Sequence, residues 1–181
     1  GLMLSAPRDC QHLVSVLNEA VDINDRPTVI RYSKDPMPDD IRVVASHDGL
    51  DVLRDGPGDG ILLVAHGQLC APALAAVDQL DFPVRVVSPR WSLPVCRGLI
   101  EEAAEARAVV SVEDGLVVSG LGSHLADALS RRGLWRPIRN LGIPQRYLGH
   151  DSRSAIMAEL GLDAPGIADA VSQLVSQLGG E

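Results

Sequence analysis

Aromatic residues are scarce in this 181-residue chain: two Trp, two Tyr and one Phe, 3% of the whole. A general nucleic-acid surface needs stacking rings and clustered cations. Sixteen Lys and Arg stand against 24 Asp and Glu, a net charge of −8, so the sequence supplies neither. One local cation for a phosphate remains compatible with that balance. Cysteine is also scarce. Cys10, Cys70 and Cys96 are odd in number and show no Cys-x-x-Cys or Cys/His metal spacing. Each has apolar neighbours, so they read as small buried hydrophobes in a reducing cytoplasm. No apolar run approaches a membrane span, and no secretory leader pattern is present. The nucleophile elbow, the HExxH pattern and the Walker loop are missing as well.

What the sequence has is 46% hydrophobic residues, enough for a sizeable core of Val, Leu, Ile and Ala. Leu2–Ser5 is a short apolar run. Asp9 is placed to cap a helix whose apolar face is Cys10, Leu13, Val14, Leu17 and Ala20. His12 on that helix reads as exposed. Thr28–Tyr32 is strand-like. Ser33–Asp40 contains two prolines and reads as a linker. Beyond it, Ile41–Ala45 and Leu50–Leu53 flank His47-Asp48-Gly49 as a hairpin. Strands are then predicted over 61–65, 84–87, 108–112 and 137–141, and helices over 69–80, 94–106, 123–132, 152–160 and 167–178. Glu101, Glu102 and Glu105 fall on the wet side of the second of these helices. Strand–helix alternation with short links predicts an α/β fold, a mainly parallel sheet with helices on both faces. The predicted organisation is 1–40, the end of one domain with its linker, and 41–181, a second domain. The opening Gly-Leu-Met-Leu, without an initiator Met, has the look of a chain cut from something longer.

Three segments could carry chemistry. Gly115–Gly122 joins a strand to a helix through Ser119-Gly120-Leu121-Gly122-Ser123. It lacks the third Gly of a dinucleotide fingerprint, so close packing of loop on helix is the favoured reading over anion binding. Arg31 and Lys34, spaced i, i+3 at a strand's C-terminal end, could face a ligand crevice or be an ordinary solvated strand end. Ser88–Pro94 carries Trp91 and reads as a loop anchored by an amphipathic ring. His66 and His124 read as hydrogen-bonding loop residues, Asp39-Asp40 and Glu101-Glu102 as solvated surface.

Taken in order, the landmarks resemble one family. Ala6-Pro7-Arg8-Asp9 and Arg26 to Lys34 are similar to the end of the middle, pyrimidine-binding domain of 1-deoxy-D-xylulose-5-phosphate synthases, in the transketolase superfamily. Pro89–Pro94, Val112-Glu113-Asp114 with Ser119–Ser123, Asn140–Gln145, Ser152-Arg153-Ser154 and Ala158–Asp163 are similar to its C-terminal domain. The resemblance implies a thiamine diphosphate-dependent, decarboxylating transfer from pyruvate to D-glyceraldehyde 3-phosphate, feeding isoprenoid synthesis. It implies Mg²⁺ on the cofactor's diphosphate, a homodimer in the parent enzyme, and a cytoplasmic location. It also implies that the cofactor ligands and catalytic residues lie in chain upstream of Gly1. Gly58-Asp59-Gly60 looks like the family's diphosphate motif but reads as a turn. No cofactor, metal, nucleic acid or membrane is expected to bind this chain alone, and it is expected to be without catalysis of its own. The substrate contact carried over is Lys34, at the position of the Arg that meets the acceptor's phosphate, with Arg31 beside it. Ser33 and Asp35 stand where the family has Pro and Gly, and Ser119 replaces the first Gly of its Gly-Gly pair. The alternatives are a separate subunit or interaction domain of a split transketolase-type enzyme, or a domain like the C-terminal part of an E1 β subunit.

Overall fold

The computed structural model describes residues 1–179. Two short strands, β1 (Met3–Ser5) and β2 (Thr28–Ile30), pair in parallel around helix α1 (Cys10–Asp22). Asp9 caps α1 as its side chain accepts from the His12 amide, 2.7 Å. Residues 31–44 form no strand or helix and lead to a hairpin. Its strands are β3 (Ala45–His47) and β4 (Leu50–Arg54), joined by Asp48-Gly49 with φ +45° and +81°. Two consecutive positive φ values make the type I′ turn that matches strand twist, which an Asp-Gly pair favours. The first strand begins at Ala45 rather than ending there. Val44 still donates its amide to Val52.

From there the chain alternates: β5 (Ile61–Ala65), α2 (Cys70–Val77), β6 (Val84–Pro89), α3 (Arg97–Glu105), β7 (Ala108–Leu116), α4 (Leu121–Ser130), β8 (Ile138–Ile143), α5 (Arg153–Glu159) and α6 (Ala164–Leu178). The six-stranded sheet has the order β3-β4-β6-β5-β7-β8. The last four strands are mutually parallel, and β4 joins β6 antiparallel. Period-2 alternation divides the core in two. Leu63, Ala65, Val86, Val110 and Val112 meet the helices α2, α5 and α6 on one face. Leu62, Val64, Val87 and Val109 meet α3 and α4 on the other. The predicted α/β class with helices on both faces is therefore what the chain forms, and its core is almost wholly aliphatic. None of its helices is long and apolar enough to cross a membrane, among the described residues.

Three surface readings need correction. His12 is buried at 3% exposure, while Val14 and Leu17, expected inside, are about half exposed. Helix α1 thus turns His12 and Val16 inward. Of the cysteines only Cys70 is fully buried; Cys10 is exposed and Cys96 lies between. Glu102 is not plain solvated surface. It accepts a two-toothed contact from Arg85 at 2.6 and 2.7 Å and lies 3.3 Å from His47.

Candidate functional site

Strand β5 runs through α2 to β6 on one side, whereas β7 lies on its other side and leads on to β8. The order in which strands are added therefore reverses between β5 and β7, which run parallel to each other. Crevices outside the carboxyl ends of such strands are where ligands bind in open α/β sheets. Here that crevice, about 310 Å³, is lined by His66 after β5, Glu113 of β7, and Ser119, Gly120 and His124 at the start of α4. Leu4 of β1 and Arg31 after β2 form its remaining wall. Leu4 and Ala6 at β1 and Arg31 after β2 thus roof the crevice. Backbone bonds pin the roof: Leu4 donates to Leu93 at 3.0 Å, and Ser92 donates to Leu4 at 2.7 Å.

The floor is internally satisfied. Glu113 is buried and turns Oε1 toward the Gly122 amide, 3.5 Å away, at the N-terminus of α4. It takes the place an external anion would take. A side chain on Gly120 would run into the Glu113 carboxyl and the Leu116 carbonyl, and one on Gly122 into Asn140 and Ser111. The glycines thus serve close packing of loop, helix and sheet. His66 shares a hydrogen bond with the Ser92 hydroxyl. Trp91 is anchored, as expected, by donating Nε1–H to Glu19 at 2.8 Å.

Next to this crevice lies a charged chain that sequence reasoning missed. Arg31 donates to Asp114 Oδ1 and to the Asp114 carbonyl, both at 2.6 Å. Arg153, opening α5, donates to the other oxygen of Asp114 at 2.8 Å and lies 3.5 Å from Asp35. Burial alone would raise the Asp114 carboxyl, but Arg31 and Arg153 outweigh it and hold it below the usual carboxylate range. A second crevice, about 390 Å³, opens beside them between Tyr32, Leu148 and Met157. Of the two cations picked from sequence, Arg31 is committed to Asp114, whereas Lys34 is exposed and has no carboxylate within 4.0 Å among the described residues. The structure does not bring Lys34 into either crevice lining.

The second missed group is a buried cluster joining residues 8–12 to the large sheet. Arg8 reaches Asp51 of β4 at 2.8 Å and Asp9 at 3.2 Å. Asp9 accepts from the Ile41 amide at 3.1 Å, and Asp51 from Ser46 at 2.7 Å. His12 Nε2 faces the Arg90 carbonyl at 3.2 Å, so it carries the proton, and Nδ1 accepts from Arg8. Nothing at spacing i, i+4 announces a pair 43 residues apart.

These burials make stability depend on pH. His12 and His66 are each pushed down to about 4 by burial, from 6.5. Between those values the unfolded chain binds more protons, so their contribution is whole above 6.5 and lost as pH falls toward 4. Glu113, pushed up to about 7 by burial from 4.5, works oppositely: its contribution is whole below 4.5 and lost as pH rises through 7. Two histidines against one carboxyl leave a net loss on acidification. The expected slope between pH 6 and 5 is about 1 kcal/mol per pH unit. Urea unfolding at pH 7, 6 and 5 checks this; a midpoint that rises on acidification would contradict it.

Gly58-Asp59-Gly60 does not fit the diphosphate and Mg²⁺ of thiamine diphosphate. It is a turn closed by the Gly60 amide on the Pro57 carbonyl at 3.1 Å, with Asp59 exposed on the far side of the sheet's strand ends.

A mostly parallel sheet with β4 added antiparallel, helices on both faces and a Gly-rich entry to α4 defines a sheet domain of the transketolase C-terminal type. Residues 50–167 match the family model described as "Transketolase, C-terminal domain", and the chain belongs to that family. In particular, it is 90% identical over 181 residues to 1-deoxy-D-xylulose-5-phosphate synthase of Cutibacterium acnes, covering 100% of this chain and 29% of that protein. It is 43% identical over 185 residues to 1-deoxy-D-xylulose-5-phosphate synthase 2 of Streptomyces avermitilis, covering 99% of this chain and again 29% of that protein. The chain thus spans under a third of these relatives. Among solved structures, a split gene transketolase described as an inactive β4 tetramer matches with a TM-score of 0.78 and 27% identity, over 95% of this chain and 56% of that one. The transketolase of Campylobacter jejuni shares the fold, with a TM-score of 0.67 and 16% identity over 95% of this chain and 26% of that one.

Proposed function

We propose that this chain is the C-terminal portion of a thiamine diphosphate-dependent 1-deoxy-D-xylulose-5-phosphate synthase. In this reading residues 1–40 end its middle domain and carry the acceptor's phosphate contact, Lys34 with Arg31 behind it. Residues 41–181 are a supporting and dimerising domain, and the whole enzyme is a cytoplasmic homodimer. The observation that carries the reading is the 90% identity that runs through all 181 residues. The rest of the synthase holds the cofactor and Mg²⁺ and transfers the two-carbon unit from pyruvate to D-glyceraldehyde 3-phosphate.

Two features support a missing neighbour. A parallel pair of three-residue strands is small for a sheet, which supports a place for β1 and β2 in a larger one. Helix α1 leaves Val14, Leu17 and Val21 exposed, Val21 at 79%. That apolar stripe fits burial by the remainder of the middle domain.

The chain alone is expected to give no heat on titration with thiamine diphosphate and Mg²⁺, and no turnover. The whole synthase is expected to give both. Micromolar cofactor binding by the chain alone would contradict the reading. A second reading, a separate subunit of a split enzyme, draws support from the split gene transketolase. Intact-mass measurement of the natural protein separates the two: one polypeptide of the relatives' length, or two.

A further inference from the structure

Asp35 poses a problem for a phosphate contact at Lys34, because it places a negative charge one residue away. At about 4–6 Å an unscreened carboxylate would offset much of the ammonium's pull on an anion. The structure shows where that charge goes. Arg153 Nε lies 3.5 Å from Asp35 Oδ2, while its NH2 group holds Asp114 at 2.8 Å. Asp114 in turn grips Arg31 through its carboxylate and its carbonyl, both at 2.6 Å. Charges therefore alternate along Arg31, Asp114, Arg153 and Asp35. The Asp35 amide bonds back to the Ser33 hydroxyl at 3.1 Å, so Lys34 sits inside a short bend held at both ends. Residues 31–44 have no ladder of their own to fix them.

We propose that Asp114 and Arg153 are positioning residues for a phosphorylated acceptor: they clamp the Arg31–Asp35 bend, and Arg153 cancels Asp35 so that Lys34 alone faces the phosphate. The proposal rests on the reading of Lys34 as the phosphate contact. It assigns to the C-terminal domain a part in substrate discrimination as well as in support. The Asp at position 35 is then tolerated because Arg153 is there to meet it.

The test uses the whole synthase, with D-glyceraldehyde 3-phosphate and unphosphorylated D-glyceraldehyde as alternative acceptors. Arg153→Gln is expected to raise KM for the phosphorylated acceptor about tenfold, the loss of one charge-assisted contact, and to leave KM for pyruvate and for the unphosphorylated acceptor within about twofold. Adding Asp35→Asn to that variant is expected to restore KM to within about threefold of the parent, since the uncancelled charge is gone. Arg153→Lys keeps the charge but not the two-sided grip and is expected to fall between the parent and Arg153→Gln. Asp114→Asn is expected to act in the same direction as Arg153→Gln. Should it unfold the protein, the partly exposed Arg153 carries the test. If Lys34→Ala weakens the phosphorylated acceptor selectively but Arg153→Gln does not, the clamp is wrong and the Lys34 reading survives. If Arg153→Gln weakens both acceptors equally and Asp35→Asn repairs nothing, its role is structural and the proposal fails. If Lys34→Ala changes neither acceptor, the reading beneath the clamp fails, and the clamp falls with it.

Discussion

Replacing Arg8 by Ala is expected to destabilise the fold by about 3–5 kcal/mol, the range for removing one partner from a buried ionic cluster. Arg8 and Asp51 have side chains 6% and 8% exposed, and Asp9 only 1%. Truncation leaves two carboxylates out of water with amide and hydroxyl partners only, and leaves His12 Nδ1 with the residue-8 backbone amide, at 3.3 Å, in place of two donors. The cluster ties the first helix to β4, so its loss also loosens the roof over the crevice. Urea denaturation of the two proteins measures the loss. An Arg8→Met, Asp51→Leu double variant is expected to recover part of it, since the stranded Asp51 charge is gone while Asp9 keeps only its amide partners. A single-variant loss under 1 kcal/mol would show that water reaches the cluster.

Substituting Gly122 by Val is expected to cost about 3 kcal/mol or more through overpacking. The added Cβ would overlap Asn140 Oδ1 and Ser111 Oγ, which bond to each other at 2.8 Å across β7 and β8. Ser111 is 1% exposed and cannot swing away. Helix α4 must then lift from the sheet, taking with it the amides that Glu113 faces. Gly122→Ala paired with Asn140→Ala is expected to lose less than Gly122→Ala alone, because one colliding atom is gone. Thermal unfolding of the three proteins decides it. Equal losses with and without Asn140 would place the strain elsewhere.

Much of the framework was legible because it is written locally. The run Ile61–Ala65 is buried at every position, as a central parallel strand requires. Asp48-Gly49 makes the turn its chemistry favours, and Asp9 caps as its place before α1 predicts. Helix α1 was misread because its apolar residues do keep helical spacing; it buries a polar side instead. His12, Ser15 and Glu19 face Arg90 and Trp91, whose loop is more than 70 residues away. Periodicity carries no trace of such partners. The same holds for the site. Arg31 could be picked out as a cation at a strand end, but its partner Asp114 lies 83 residues on, and Arg153 a further 39. Glu113 looked like one more acidic residue after a strand, and only the packing of α4 on the sheet gives it a helix terminus to fill.

The central claim is that this chain brings the phosphate contact of an aldehyde acceptor to an enzyme whose cofactor lies elsewhere. It is tested most directly by the acceptor preference of the whole synthase with Lys34→Ala. Steady-state kcat/KM for D-glyceraldehyde 3-phosphate is expected to fall by about 10- to 100-fold, the range for losing one charged contact to a phosphate, while kcat/KM for unphosphorylated D-glyceraldehyde stays within about twofold. An unchanged preference between the two acceptors would contradict the account.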